Sequence, residues 1–546
     1  MTRTSSLRVA AVALLLALLA QSGPLPAQNT APAAQDWPEW RGADRLGVAA
    51  KSPPLVDQLP TAGPKKIWTS DDLFSDGDSG QGGHGSVSVA GGKAYAFIDW
   101  NFQVDVAERA LSKNTLVNLW GYSADIPADV SKLIEDARAG DARAALKGGK
   151  ALDDWVNAWL DANIKPEQRK FRGAARARLA AGAGALPLDA LAKLATIADR
   201  VFPDPAALDK WFDENQLAPD VRRKAMQGFP TKKRDAKGIV ICVDSAGGKT
   251  LWKREISAVS MGFPGSGTPT VAGGKVYVLA SDSKVWCLDA ATGEPAWSSE
   301  TLAPPNSHNR ACSVLVSGGK VFGLIEACGF ALNAADGKTL WRAAGRGNES
   351  GSPSLWRTNG KTCVLMPGAG KVSCLDPETG KASWSVPCDS YGPTPAVSGD
   401  VMVITNGPKG AMKAYRLAPD KAEELWTVAF PERYSSPCIT GGYVYVVGES
   451  GDAGKGHAIC VELATGKVAW DEVVGPAELA SPVVADGKVI APVGPFLQMI
   501  RADAAKYEPL GKFNAGLLPW TSPAIADGFL YLRTGKKITC WDLRKQ

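Results

Sequence analysis

A unit of about 40 residues recurs along this chain, and such a period restricts the fold more than any other feature of the sequence. Its clearest copy runs from Thr268 to Trp297, TPTVAGGKVYVLASDSKVWCLDAATGEPAW. Period-2 alternation and turn residues predict four short strands: one through Val271, one over 276–278, one over 285–288, and a fourth starting at Ala296-Trp297. Gly273-Gly274 and Thr292-Gly293 supply the positive φ that tight turns need, and Asp289 can bond its own turn backbone. The β-branched and aromatic residues between them suit a pleated, half-buried surface.

Anchoring each unit on its opening Ser or Thr gives Ser86, Thr268, Ser313, Ser352, Thr394, Ser436, Ser481 and Ser522. After the first interval the spacings are 45, 39, 42, 42, 45 and 41 residues. One four-stranded meander cannot bury both of its faces, whereas a ring of meanders buries all but the outer edges, so the period predicts a propeller. A fourth-strand Trp marks the same repeat at Trp252, Trp297, Trp341, Trp384, Trp426 and Trp470, with Phe513 in the seventh unit. These residues are expected to dock each blade on its neighbour. The last unit, Ser522 to Leu543, stops after three strands, while Lys66-Ile67-Trp68 near the start is an orphan fourth. The expected fold is therefore all-β, an eight-bladed β-propeller closed by N- and C-terminal strands, with Trp68 completing the docking set.

The strings CLDAATGEPAW, CLDPETGKASW, CVELATGKVAW and CVDSAGGKTLW resemble the Trp-docking repeat of the PQQ quinoprotein alcohol dehydrogenases and of their non-catalytic relatives, among them the outer-membrane assembly lipoprotein propeller. The resemblance implies the propeller fold and makes the Asp, Gly and Trp of the repeat structural. Asp36-Trp37-Pro38-Glu39-Trp40-Arg41-Gly42 is similar to the opening of exported PQQ-repeat proteins, and its two Trp are expected to pack on the propeller. A PQQ dehydrogenase would carry adjacent cysteines, a catalytic Asp and Glu/Asn/Asp calcium ligands. None of these motifs is matched residue by residue.

Between Ser86 and Thr268 the spacing is 182, so roughly 140 residues are inserted between the second strand, 94–98, and the third, 239–243. There the period changes to 3.6: Leu152, Trp155, Val156, Trp159 and Leu160 share one stripe, and Leu188, Leu191, Leu194 and Ile197 another. Pro166 and Pro205 suit first turns of helices. The organisation predicted is a signal peptide over 1–27, a linker over 28–35, an N-terminal segment with the closing strand and the start of blade 1 over 36–101, a helical insertion over 102–237, and the rest of the propeller over 238–546. The insertion is expected beside the mouth of the central channel. Its run Lys165, Arg169, Lys170, Arg172, Arg176 and Arg178 reads as a solvated helix face or, alternatively, a patch for an anionic polymer.

Arg3 and Arg8 ahead of an apolar stretch over 9–20, with Leu25-Pro26-Ala27 as a cleavage site, mark the start as a targeting segment too short for a comfortable membrane span. No Cys precedes Cys242, so acylation of the start is not expected. The reading is a soluble exported protein of the periplasm or cell envelope, without a transmembrane span when mature. Lys and Arg total 61 against 56 Asp and Glu, interspersed, which argues against a nucleic-acid partner. Cys242, Cys287, Cys374, Cys460 and Cys540 sit two residues before the acid of the repeat and are expected as small buried hydrophobes. One pair among Cys312, Cys328, Cys363, Cys388 and Cys438 could be bridged.

Only His84, His308 and His457 are present, in no zinc spacing, and no GxSxG elbow or Walker loop appears, so neither a metal nor a catalytic residue is assigned. The loops leading into the first strands are where a site would be grafted. Counting back from each anchor selects His84, Arg310, Glu349, Tyr391, Arg433, Tyr434, Glu478 and Trp520 as one ring of candidate binding residues. Alternatively, its charges form only exposed ion pairs around a water-filled hole. The function expected is a non-catalytic exported scaffold for an envelope protein or polymer partner. The rivals are a divergent PQQ- and calcium-dependent oxidoreductase and a glycan-binding propeller.

Overall fold

The computed structural model describes residues 36–74, 82–260, 265, 267–304, 312–326, 328–343, 351–389, 394–407, 410–432, 434–449, 454–476 and 479–546. The signal peptide and linker expected at the start lie outside the described residues. The chain divides into two units, one holding the residues through Phe102 together with Asp235–Gln546, the other Gln103–Arg234.

The first unit is a β-propeller, its strands gathered into antiparallel meanders of four, one of which has an added fifth strand. The first strand of each meander lies at one edge of its sheet: β1 (Ser88–Ala90), β2 (Thr270–Ala272), β3 (Leu315–Ser317), β4 (Ser354–Thr358), β5 (Ala396–Ser398), β6 (Cys438–Thr440), β7 (Val483–Ala485) and β8 (Ala524–Ala526). Strand pairs turn tightly at Gly273 and Gly274, with φ of 56° and 72°, a geometry that suits the twist of a two-residue hairpin. The sheet that begins with β8 receives its fourth strand from Lys65–Thr69, antiparallel to Lys537–Asp542. In the β1 sheet the second and third strands run over Lys93–Asp105 and Lys232–Asp244, longer than the apolar stretches predict. The outer end of the second alternates Trp100, Phe102 and Val104 with Asn101, Gln103 and Asp105, a period-2 pattern that continues past Ile98, whereas the third begins with the largely polar run 232–237; backbone pairing such as Val106 N–H to Thr231 O at 3.0 Å extends the two together.

Each fourth-strand Trp joins two sheets. Its indole N–H donates to a turn carbonyl of the next: Trp68 to Ser245, Trp252 to Ala290, Trp297 to Ala334, Trp341 to Pro377, Trp384 to Ala418, Trp426 to Leu463 and Trp470 to Asp503, at 2.8 to 3.2 Å. Phe513, which has no donor, is buried with its ring 5.8 Å from that of Trp541. The repeat Gly makes room for the indole: Gly337 has φ 74°, and a Cβ there would strike the ring of Trp297.

A second set of contacts joins the first strands. The backbone N–H of an anchor donates to the hydroxyl of the next: Ser86 to Thr268, Thr268 to Ser313, Ser313 to Ser352, Thr394 to Ser436, Ser436 to Ser481 and Ser481 to Ser522, at 2.9 to 3.1 Å. Ser522 N–H then donates to Ser86 Oγ at 3.1 Å. The residue that opens each repeat thus links neighbouring sheets.

The N-terminal strap, residues 36–56, runs along the first strands. Trp37 exchanges two backbone bonds with Val89, Pro38 O accepts from Val271 N–H, and Val48–Ala49 pairs in parallel with β7. Trp37 is buried, and Trp40 Nε1 donates to Thr394 Oγ1 at 2.8 Å. Arg41 and Arg45 are both buried and spend their guanidinium groups on carbonyls of the first-strand region: Arg45 on Ser313, Val314 and Pro353, Arg41 on Pro437 and Pro482.

Their placement has a local cause. Two residues past the anchor, Ser88 donates to Pro269 O, Thr270 to Val314 O and Cys438 to Pro482 O. Leu315 and Ala396 have no donor at that position. There Arg45 supplies the bond to Pro353 O at 2.8 Å, and Arg41 the bond to Pro437 O at 2.5 Å. Buried carbonyls left without donors are costly.

The second unit is helical. Lys150–Asn163 buries Val156 and Leu160 in one core, and Leu188–Ala195 buries Leu191 and Leu194 in another. Pro205 opens a helix capped by Asp204, whose carboxylate accepts from Ala207 N–H at 2.8 Å. The basic run is not one face: Arg172 pairs with Asp161, Arg176 bonds Asn157, and Arg178 is buried against Glu135. All ten cysteines are thiols, so none of the pairs left open by the sequence is bridged. The five repeat cysteines are buried, which pushes the Cys287 thiol up to about 11.

Candidate functional site

Of the eight candidate residues, His84, Tyr434 and Trp520 are described, each in a loop leading into a first strand. Arg310, Glu349, Tyr391, Arg433 and Glu478 lie outside the described residues.

His84 and Trp520 come from the loops before β1 and β8 and meet with ring centroids 4.6 Å apart. His84 Nδ1 lies 2.8 Å from Pro519 O, so in the neutral ring that nitrogen carries the proton and donates. Burial lowers the His84 pKa to about 4, with nearby Arg533 pushing in the same direction. Arg533 itself is fully buried, and desolvation brings its guanidinium down to about 9. Trp520, packed against His84, has φ 68°, a left-handed conformation unusual for a bulky residue, and 38% of its surface is open to solvent. Tyr434, in the loop before β6, is 37% exposed.

Two buried carboxylates that sequence reasoning missed hold these loops. Asp99, midway along the second strand of the β1 sheet, accepts from Gly265 N–H at 2.7 Å and from Ser281 Oγ at 3.1 Å. Glu432 accepts from the backbone N–H of Tyr434, Ser435 and Glu449 at 2.6, 2.9 and 2.6 Å. Gly448 permits this, since a Cβ there would overlap the Glu432 carboxylate. Glu432 has no acidic counterpart in the other repeats, so no period flags it, whereas the Asp99 position, 13 residues past the anchor, is acidic again at Glu326 and Glu449, a signal that could have found it. Arg41 and Arg45 stand in the Trp-rich opening of the sequence, but spacing alone does not show which carbonyls they reach.

Chemically the arrangement is an exposed indole packed on a neutral imidazole, with the exposed Tyr434 on a separate loop that Glu432 holds. Asp99 and Glu432 are taken up by protein donors. Among the described residues no three His, Cys, Asp or Glu side chains gather into a metal-binding group.

Residues 232–365 and 330–545 match the sequence model of the family described as outer membrane protein assembly factor BamB. No curated protein sequence matches the chain. Among solved structures, BamB from Moraxella catarrhalis is 19% identical, with a TM-score of 0.44 over 56% of this chain and 89% of that one. The quinohemoprotein alcohol dehydrogenase from Comamonas testosteroni is 15% identical, with a TM-score of 0.42 over 57% of this chain and 73% of that one. The family match, rather than either superposition, carries the assignment.

Proposed function

The chain belongs to the outer membrane protein assembly factor BamB family of PQQ-repeat β-propellers, and from that premise we propose an exported, non-catalytic scaffold that holds an envelope protein on the loops leading into its first strands. The observation that carries this reading is Trp520, a large aromatic residue left 38% exposed and held in left-handed backbone against His84. Exposed Trp and Tyr on rigidly supported loops are the residue types that anchor protein interfaces. Backbone strain at such a position is retained where it serves a function.

The proposal includes an eight-bladed ring closed between its ends. Three contacts support closure: the pairing of Lys65–Thr69 with Lys537–Asp542, the bond from Trp68 to Ser245, and the bond from Ser522 to Ser86. A closed ring gives the loops a fixed common platform, which a binding face requires. Export rests on the charged and apolar start of the sequence. Among the described residues no helix is long and apolar enough to cross a membrane. The candidates Arg310, Glu349, Tyr391, Arg433 and Glu478 belong to the same proposed face, and the helical unit to the same partner.

A photo-crosslinking residue placed at 520 or 434 should capture an envelope protein, and Trp520→Ala should weaken that capture without lowering the melting temperature. If crosslinks form only from surfaces remote from these loops, the assignment fails. Purified protein mixed with PQQ, Ca²⁺ and an alcohol should show no dye reduction. Turnover there would replace the scaffold with a dehydrogenase.

A further inference from the structure

At the other end of the first strands, where they turn into the second, the protein holds a cleft of about 940 Å³ between the strap and the strands β1 to β4. Its wall contains a repeated backbone position, three residues past the anchor, whose N–H points away from the strand's own hairpin. In three sheets the strap occupies that position: Val89 N–H donates to Trp37 O at 2.8 Å, Val271 N–H to Pro38 O at 2.8 Å, and Val484 N–H to Gly47 O at 2.7 Å. Val316 and Leu355 are the equivalent residues of β3 and β4. Register puts each in a pair that does not exchange hydrogen bonds with its own second strand, and both line the cleft. Their N–H groups have no acceptor among the described residues.

We infer that this cleft receives an extended polypeptide segment of a partner, which pairs with the inner edges of β3 and β4 through its backbone and places a basic side chain at Asp44. The strap supplies the precedent, since it already adds to three inner edges in this way, once as the two-residue strand Val48–Ala49. An open strand edge is a template for such addition. The charge follows from Asp44, whose carboxylate accepts from Leu46 N–H at 3.1 Å and has no ion-pair partner among the described residues. It faces solvent, yet the protein walls around it hold its pKa above the usual range. A cation brought there would relieve that cost. A cleft of this volume accommodates a segment of roughly five to seven residues, consistent with pocket sizes that enclose ligands.

The test uses the full chain and a fluorescein-labelled pentapeptide of alternating Val and Lys, followed by anisotropy. Saturable binding is expected. It should be lost when the same peptide carries N-methylated backbone amides, and weakened roughly fivefold by Asp44→Asn, the size of one partly exposed ion pair. Amide exchange at Val316 and Leu355 should slow when the peptide is added. Absence of saturable binding, equal binding of the N-methylated peptide, or protection confined to other strands would each overturn the inference. Trp520→Ala separates this site from the loop face: it should leave peptide binding unchanged, and a comparable loss would place the peptide at the wrong end.

Discussion

Arg45 donates to the carbonyl oxygen of Pro353 at 2.8 Å, across the gap that Leu315 leaves in a series of first-strand hydroxyl and thiol donors. The same guanidinium pairs with Glu39 at 2.7 Å, so removing it strands both a buried acid and several carbonyls. Arg45→Ala should therefore destabilise the protein by about 3 to 5 kcal/mol. Adding Leu315→Thr, which places a hydroxyl where Thr270 has one in the preceding sheet, should recover about 1 kcal/mol. Chemical denaturation of the single and double variants checks both values. No recovery in the double variant would mean that the donor gap is not what Arg45 fills.

Truncating a docking indole should be felt across a junction between two sheets. Trp341→Ala should cost about 3 to 5 kcal/mol. Gly337→Ala should also destabilise, because it crowds Trp297 and places a side chain at φ 74°. Thermal melts distinguish this structural role from ligand stacking, which would spare stability and abolish binding.

Removal of residues 36–68 tests closure. Without Lys65–Thr69 the strand Lys537–Asp542 loses its partner and presents an open edge, and the truncated protein should aggregate. A truncation that stays monodisperse and melts with the parent would defeat the closed ring.

His84 gives a pH signature with a defined sign. Its pKa falls from 6.5 to about 4 on folding, so between those values the unfolded chain takes up a proton that the folded protein does not. Stability is fully present above pH 6.5 and decreases by about 3 kcal/mol as the pH falls to 4. His84→Gln should flatten that part of the curve by one proton. An unchanged slope would mean that His84 titrates normally.

Much of the first unit was legible because its rules repeat. A tight Gly turn, a Trp and an anchor Ser or Thr recur about every 42 residues, so one copy explains the rest. The hydrogen bond from each anchor to the next was not legible, since the spacing marks the residues without showing which atoms meet. Glu432 escaped for the opposite reason: it solves a local backbone problem once, and a single event leaves no period, whereas the Asp99 position is acidic again at Glu326 and Glu449. The strap was visible as a Trp-rich opening, but the reach of Arg41 to Pro437 depends on ring geometry that spacing alone does not provide. The helical unit showed its stripes, while the burial of Arg178 inside a basic run depended on Glu135, 43 residues away.

The strap also sets an order of events in time. Arg41 bonds Pro437, and Val56 N–H bonds Leu543 O, contacts that join the beginning of the chain to its last hundred or so residues. A ribosome releases the strap well before Pro437 and Leu543, so a segment that emerges early cannot finish docking until the last repeats are made. Contacts of such long sequence separation slow folding, and the first strands keep their inner edges open until they form. Strap docking should therefore appear as the final, slowest phase of refolding, reported by burial of Trp37.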